Sequence, residues 1–437
     1  MSQPTAGAAS SAASALFNLP DYEVLEVTRT GDGARTVVIA TTASEAACPD
    51  CGVLSSRVHQ RTRQQLADVS FDGPVEVAWI KKRWKCTEAL CARKSFTEHT
   101  DQVPPRARLT TRLKDAILDA VTSEVRAIDR VATQFGVSWP TVQRLVDHAA
   151  AALAAWRRTR PRLVRRLGID EHRFRSVRWF KDRTGGEAGV WRRVEPWMTT
   201  FVDLSTGEVI AVVDGRDATA VAAWLAAQPR WWRRRVEVVA IDPSASFRSA
   251  VRRWLPKARV AVDHFHLVKL GNDMLTVVRR RVAWDRHERR GRKSDPAWAH
   301  RLLLLRGYDT LSEAGKARLD KVLRVDDPTE EIGAAWGIKE ALRLMLMSPT
   351  LVVASDRRRM FDLYVLGARL PEADRLKKTI DLWWPEIETF IDTRATNART
   401  EAANVTIKNI KRTGRGYRSH ANYRSRIMLY NAARSAA

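Results

Sequence analysis

"VEVVAIDPSASFRSAVRRWLPKARVAVDHFHLVKL" (236–270) carries the same short pattern twice. Val238 to Ile241 is an apolar run of strand length that ends at Asp242, and a Pro-Ser turn leads from it into a helical segment. The run before Asp263 repeats this and passes straight into "HFHLVKL". Upstream, "RLGIDEHRFRS" (166–176) has Leu167 and Ile169 leading to Asp170. "WMTTFVDLSTGEVIAVVDG" (197–215) is a pair of β-rich runs around a turn at Ser205–Gly207, and "ATAVAAWLAAQ" (218–228) is a helix. Strands come first as a meander and then alternate with helices.

That order suits a mixed sheet flanked by helices, as in the ribonuclease H-like (RNase H-like) fold. Asp170 and Asp242 each end an apolar strand, and if the two strands are neighbours their carboxylates converge. One such Asp means little, because turns attract Asp. A converging pair without Cys or His suits hard, oxygen-preferring ions such as Mg²⁺ or Mn²⁺. Two ions in such a site activate the attacking oxygen and stabilise the leaving oxygen of a phosphodiester.

A third acid is offered by "TNARTEAANVTIKNIKRTGRGYRSH" (396–420). On an ideal helix, Ala403, Thr406, Ile407 and Ile410 fall opposite Glu401, while Asn397, Asn404, Val405, Lys408 and Arg412 share its side. The plainer reading is a surface Glu in local ion pairs. Asp381, Glu386 and Glu388 are the competing third carboxylates, although "DLWWPEIE" (381–388) lacks the amide and lysine stripe.

The balance of 75 Lys and Arg against 50 Asp and Glu gives a net charge of +25, clustered in "WRRTRPRLVRR" (156–166), "RWWRRR" (230–235), "RRRVAWDRHERRGRK" (279–293) and the last forty residues. Four clusters on one chain point to a polyphosphate partner, nucleic acid before membrane surface or ribosome. At 45 % hydrophobic residues the chain is globular. No stretch approaches the roughly 18 apolar residues of a membrane span. "MSQPTAGAASSAASALFNL" lacks a basic start and a continuous apolar core, so it reads as a disordered leader and the protein as cytoplasmic.

All four cysteines lie in "CPDC" (Cys48, Cys51) and "CTEALC" (Cys86, Cys91), two close pairs able to close a tetrahedral Zn²⁺ site. Disulfides are the weaker reading in a cytoplasmic chain, and His59 is the substitute ligand the segment offers. "VEVAWIKKRWKC" (75–86) alternates as strands do, which makes a zinc-ribbon-like module. Next, "AIDRVATQFGVSWPTVQRLVDHA" (127–149) places Ile128, Val131, Ala132 and Phe135 at helical spacing before Gly136. Ser138 can cap a second helix, with Val142, Leu145 and Val146 inward and Thr141, Gln143 and Arg144 outward. In a basic chain this suggests a helix-turn-helix, helped by Arg112, Lys114, Arg126 and Arg130; an ordinary helical hairpin is the alternative. From Leu270 to Asp392 the apolar spacing is helical, mostly core, and the 279–293 stretch is a candidate for DNA contact.

With Asp170, Asp242 and Glu401 in this order behind those two modules, the chain resembles the ISL-three family of DDE-type bacterial insertion-sequence transposases. The resemblance rests on "CPDCG", "RKSFTE", "GIDEHRF", "IDPSASF", "DHFHLVKL" and "TNARTEAANVTIKNIKRTGRGYRSHANYRSRI". It implies a multidomain α+β protein: a leader (1–20), a zinc-ribbon-like module (21–105), a helix-turn-helix (106–160), an RNase H-like mixed α/β core begun in 161–270, interrupted by a helical insertion (271–392) and finished in 393–437. It implies catalysis by Asp170, Asp242 and Glu401 around two Mg²⁺ or Mn²⁺ ions, with Asp263 and His266 in support and structural Zn²⁺ on the cysteines. Its partners would be double-stranded DNA, as inverted-repeat ends and target, read by Thr141, Gln143 and Arg144 and held by Lys408, Lys411, Arg412 and Arg415. A homodimer or larger synaptic assembly on nucleoid DNA would follow. Two rival readings are a non-catalytic zinc and helix-turn-helix regulator and a RuvC-like structure-selective nuclease.

Overall fold

The computed structural model describes residues 12–29, 35–70, 75–182 and 189–436. They fall into two compact units: the chain up to Trp156 together with Ile410–Ala437, and Arg157–Asn409.

In the first unit the strands Tyr22–Arg29, Arg35–Thr41, Val75–Lys85 and Val58–Leu66 lie side by side in that order, and Ser95–Thr97 pairs with Val75–Lys85. Val77, Trp79 and Ile39 are fully buried on its core face, as the alternation in "VEVAW" requires. The expected leader departs from this picture in part. Residues 1–11 lie outside the described residues, but Ala12–Phe17 is a helix, and Phe17 and Leu19 are buried in the sheet's core. These two large apolar side chains give that end of the leader something to bury.

Helices Thr111–Thr122, Ile128–Gln134 and Trp139–Thr159 follow. Gly136, at φ +62°, takes the left-handed turn between the last two, where a side chain would be strained. Leu113, Ile117, Val121, Val131, Val142 and Val146 form their shared core, and Leu429 joins it from the helix His420–Ala436. The final segment therefore completes the first unit's helical core, although the sequence suggests it continues the catalytic one.

The second unit is built on a five-stranded sheet in the order Val209–Asp214, Trp197–Asp203, Arg166–Arg173, Val238–Ile241, Arg259–Val262. The first three are antiparallel, and the last two run parallel to Arg166–Arg173. This is the mixed sheet of an RNase H-like core. The capping residues agree with the turns: Asp217 opens Ala218–Ala226, Ser244 opens Ala245–Trp254, and Asp263 opens His264–His287, each accepting a backbone N–H. Beyond them the insertion is helical, through Glu313–Val325, Glu331–Leu346, Leu351–Ala368, Pro371–Leu382 and Trp384–Thr393. Its apolar faces form one continuous core with the sheet. The chain then returns in the helix Ala398–Thr413, which carries Glu401.

Candidate active site

Strand register gathers the acids. Ile169 lies opposite Ile241, and Ile241 opposite Val262, in parallel pairing. The next residue on each strand is Asp170, Asp242 and Asp263, so three carboxylates emerge at one end of the sheet. The side chains of Asp242, Asp263 and His266 bring one ligand atom each within 4.8 Å of one another. His266 Nε2 is 3.2 Å from Asp242 Oδ2. His266 lies in the first turn of the helix that Asp263 caps.

The returning helix closes the site with amides. Asn397 Nδ2 donates to Asp242 Oδ1 at 3.1 Å and to the Ile169 carbonyl at 3.2 Å. Asn404 Nδ2 donates to Asp170 Oδ2 at 2.7 Å, while Asn404 Oδ1 accepts the Thr200 hydroxyl at 2.8 Å. Thr200 Oγ1 is in turn 3.0 Å from His172 Nδ1. Asn397, Asn404, Thr200 and His172 are all buried. Asp170 is thus held by a hydrogen-bonded relay running across the neighbouring strand.

This corrects the helical projection. Asn397 and Asn404 do not share an open face with Glu401; together with Thr400 and Ile407 they make the buried stripe. The strand beneath presents Asp170 and Thr200, so the helix meets it with polar side chains. It also approaches closely: a Cβ on Gly168 would overlap the Thr400 hydroxyl and lie 2.7 Å from Leu204. Gly168 and Thr200 are site residues that sequence reasoning missed; the Gly in "GIDEH" was the available signal.

The carboxyls feel one another. Burial, then Asp170 beside it, pushes Asp242 up to about 7. Burial also raises Asp170, and burial followed by Asp263 raises Glu401. Burial works against Asp263 too, but the nearby His264 ring and a hydrogen bond from the Phe265 N–H hold it below the ordinary carboxylate range. Among the described residues no Lys or Arg forms an ion pair with Asp170, Asp242, Asp263 or Glu401. The rival third acids are engaged elsewhere: Asp381 with Lys377 and Arg358, Glu386 with Arg252 and Arg248, Glu388 with the Trp384 indole N–H.

In the first unit, Cys48 and Cys91 sulfurs are 3.9 Å apart and Cys51 and Cys86 sulfurs 3.7 Å apart. A tetrahedron with Zn–S bonds near 2.3 Å has edges of about 3.8 Å. All four cysteines are free and form one ligand cluster, with Trp84 and Phe96 packed behind it. His59 is not in the cluster.

A transposase model of the ISL3 type matches residues 188–427, more than half of the chain. The chain belongs to the ISL3 family of transposases. The helix-turn-helix domain of transposase family ISL3 matches residues 98–150, and the zinc finger of the IS204, IS1001, IS1096 and IS1165 transposases matches 44–91. The transposase for insertion sequence element IS1001 of Bordetella parapertussis is 26 % identical over 316 residues, 70 % of either chain. Among solved structures, the Drosophila P element transposase strand transfer complex is similar over 74 % of this chain and 91 % of that one, at 11 % identity and a TM-score of 0.37. That likeness is too distant to carry an argument about the site.

The transposase's helix-turn-helix exposes Arg144 and half-buries Thr141. Gln143 is a correction: it is 7 % exposed and donates to Asp147 Oδ1 at 2.7 Å. It lies one position from Val142 and three from Val146, on the edge of the inward face, and does not stand out to solvent as Arg144 does. Arg112 is also committed, through Nε to Asp68 Oδ1 at 2.8 Å and through Nη1 to the Phe17 and Asn18 carbonyls. In the basic 279–293 stretch, Arg281 pairs with Glu331 and Glu372, Arg286 with Asp326 and Arg289 with Asp295. These arginines tie the insertion together. Lys408, Arg412 and Arg415 are exposed and Lys411 is half-buried. No described helix is long and apolar enough to cross a membrane.

Proposed function

We propose that the chain cleaves and rejoins DNA at the ends of its insertion sequence by metal-dependent phosphoryl transfer, with Asp170, Asp242 and Glu401 as the metal-holding acids. The observation that carries this reading is Asp242, Asp263 and His266 within ligand distance of one another, with Asp170 and Glu401 near enough to feel their charge, amide partners on Asp170 and Asp242, and no paired Lys or Arg among the described residues. Buried like charges left in this state favour taking up a cation. The donor set, mostly carboxylate oxygen, suits Mg²⁺ or Mn²⁺. When bound, such ions would polarise the scissile phosphate and stabilise the attacking and leaving oxygens.

The chain's own residues do the rest. Asn404 and Asn397 fix the rotamers of Asp170 and Asp242, and His266 holds the second oxygen of Asp242. Asp263 doubles as helix cap and fourth carboxylate. Lys408, two turns after Glu401 on the same face, offsets phosphate charge next to the acids. In the first step water attacks the phosphodiester at the element end, one P–O bond forming as another breaks, and a 3′-OH is released. In the second that 3′-OH attacks a target phosphodiester, exchanging one P–O bond for another. Thr141 and Arg144 would read the repeats, with Lys411, Arg412 and Arg415 on the backbone. Two protomers would bring two ends together on nucleoid DNA in the cytoplasm.

The test is a labelled duplex that carries one element end, incubated with purified protein in Mg²⁺ or in EDTA. A nick at the element boundary is expected in Mg²⁺ alone. Glu401→Gln should reduce nicking at least a hundredfold while duplex binding persists, an order of magnitude typical of losing transition-state charge stabilisation. Nicking at the wild-type rate by Glu401→Gln would remove Glu401 from the acid set.

A further inference from the structure

Of the arginines in the 279–293 stretch that its ion pairs leave out, one is buried. Arg279, on the helix His264–His287, is 5 % exposed, and its Nη1 is buried without a hydrogen-bond partner. The charges that reach it are Arg280 and Arg301, both repulsive. The acids of this neighbourhood are engaged elsewhere, Asp295 by Arg289 and Asp326 by Arg286. A buried guanidinium without a counterion is a large electrostatic penalty in the folded state.

Arg279 lines a cavity of about 190 Å³ that it shares with Arg280, Arg301 and the side chains of Leu275, Leu302 and Leu304. Leu275, Thr276, Arg279 and Arg280 form one helix face, by their spacing. Arg301 comes from the next part of the insertion, braced over the Trp298 ring at 4.3 Å and donating to the Trp298 carbonyl at 2.9 Å. Arg280 is exposed and Arg301 half-buried, so two guanidiniums stand nearer the solvent than the third. The apolar walls lower the local dielectric and strengthen whatever charge interaction forms inside.

We propose that Arg279, Arg280 and Arg301 form a phosphate-binding site in the helical insertion, separate from the acid cluster. Three planar donor forks lining one cavity that has no carboxylate in its wall suit the tetrahedral oxygens of a phosphate group better than a single carboxylate. The group comes either from the DNA backbone or from a free phosphate compound, since both present the same oxygens.

The full chain decides between them. Melting temperatures are compared in chloride and in inorganic phosphate at equal ionic strength, for wild type and Arg279→Met. Duplex affinity of both proteins is then measured against salt in Mg²⁺-free buffer. In chloride, Arg279→Met should melt no lower than wild type, because it removes an uncompensated charge. A free phosphate ligand raises the wild-type melting temperature by a few degrees and leaves Arg279→Met unmoved. A DNA phosphate instead lowers the slope of log affinity against log salt by about one in the variant. If neither the phosphate shift nor the salt slope differs between the two proteins, the site does not exist. Should Arg279→Met fail to fold, Arg280→Gln tests the same site from the exposed side of the cavity, with the same two outcomes.

Discussion

Cys48, Cys51, Cys86 and Cys91 come from two short loops of one module, whereas Asp170, Asp242, Asp263 and Glu401 come from three strands and a helix that returns after the whole insertion. The sulfurs already stand at the edges of a tetrahedron. The three Asp carboxyls stand in a register that only the sheet can supply. Local ligands let the zinc site hold its module together. Distant side chains make the acid site dependent on everything that aligns the strands and seats the helix.

The largest effect that would break this contrast is removal of zinc. Structural zinc sites contribute about 10–16 kcal/mol in isolated finger peptides, so chelation should erase hydrogen-exchange protection across the Ala46–Thr97 segment. Strands Arg166–Arg173 and Val238–Ile241 should keep theirs. A cysteine module that stays protected after chelation would mean that Trp84 and Phe96 hold it without metal.

A smaller effect is expected at Gly168. Gly168→Ala drives a methyl into Thr400 and Leu204, an overpacking change of about 1–3 kcal/mol, visible as a lower denaturation midpoint. Thr400→Ala in the same chain should return part of the loss, since the Thr400 hydroxyl has no partner to lose. If Gly168→Ala melts as wild type does, the helix does not sit on the strand as closely as described, and the amide contacts to Asp170 and Asp242 go with it.

An effect no larger than that at Gly168 once solvent screening is counted is a pH dependence. Asp242 is raised to about 7 in the folded protein from the ordinary 3.8. Its folded form therefore binds a proton that the unfolded chain releases, and stability falls as pH rises between those values. In metal-free buffer, Asp242→Asn should lack this slope, so its advantage over wild type should grow from pH 5 to pH 7 and then level. Divalent ions should reverse the order by stabilising wild type alone. Parallel stability curves for the two proteins across that range would mean that Asp242 is not buried among like charges.

The zinc ligands were legible because spacing alone defines them. The strand ends were legible because an apolar run ending in Asp marks one, but that the three strands are neighbours is visible only in their pairing. The proposal of Glu401 as third acid leans on the family resemblance, since a helix projection allots faces but not partners. That projection turned Asn397 and Asn404 outward with Glu401, because nothing local says that the strand beneath is polar. Gln143 failed for a related reason: its helix exposes Arg144, but the pair with Asp147 draws Gln143 inward. The arginines at 281, 286 and 289 looked like a DNA surface because their acids lie as far away as Glu372 in sequence.

The helix His420–Ala436 lies against Thr111–Thr122 in the first unit, with Leu429 in their shared core and Arg426 donating to the Arg126 carbonyl at 2.9 Å. The segments on either side of Arg157–Asn409 thus belong to one body, and the other body is spelled out between them. A protein truncated anywhere in the insertion lacks Glu401 and also leaves the helical core of its own DNA-binding part unfinished. Early termination during synthesis should then yield fragments prone to degradation, rather than a stable competitor that occupies the element's ends.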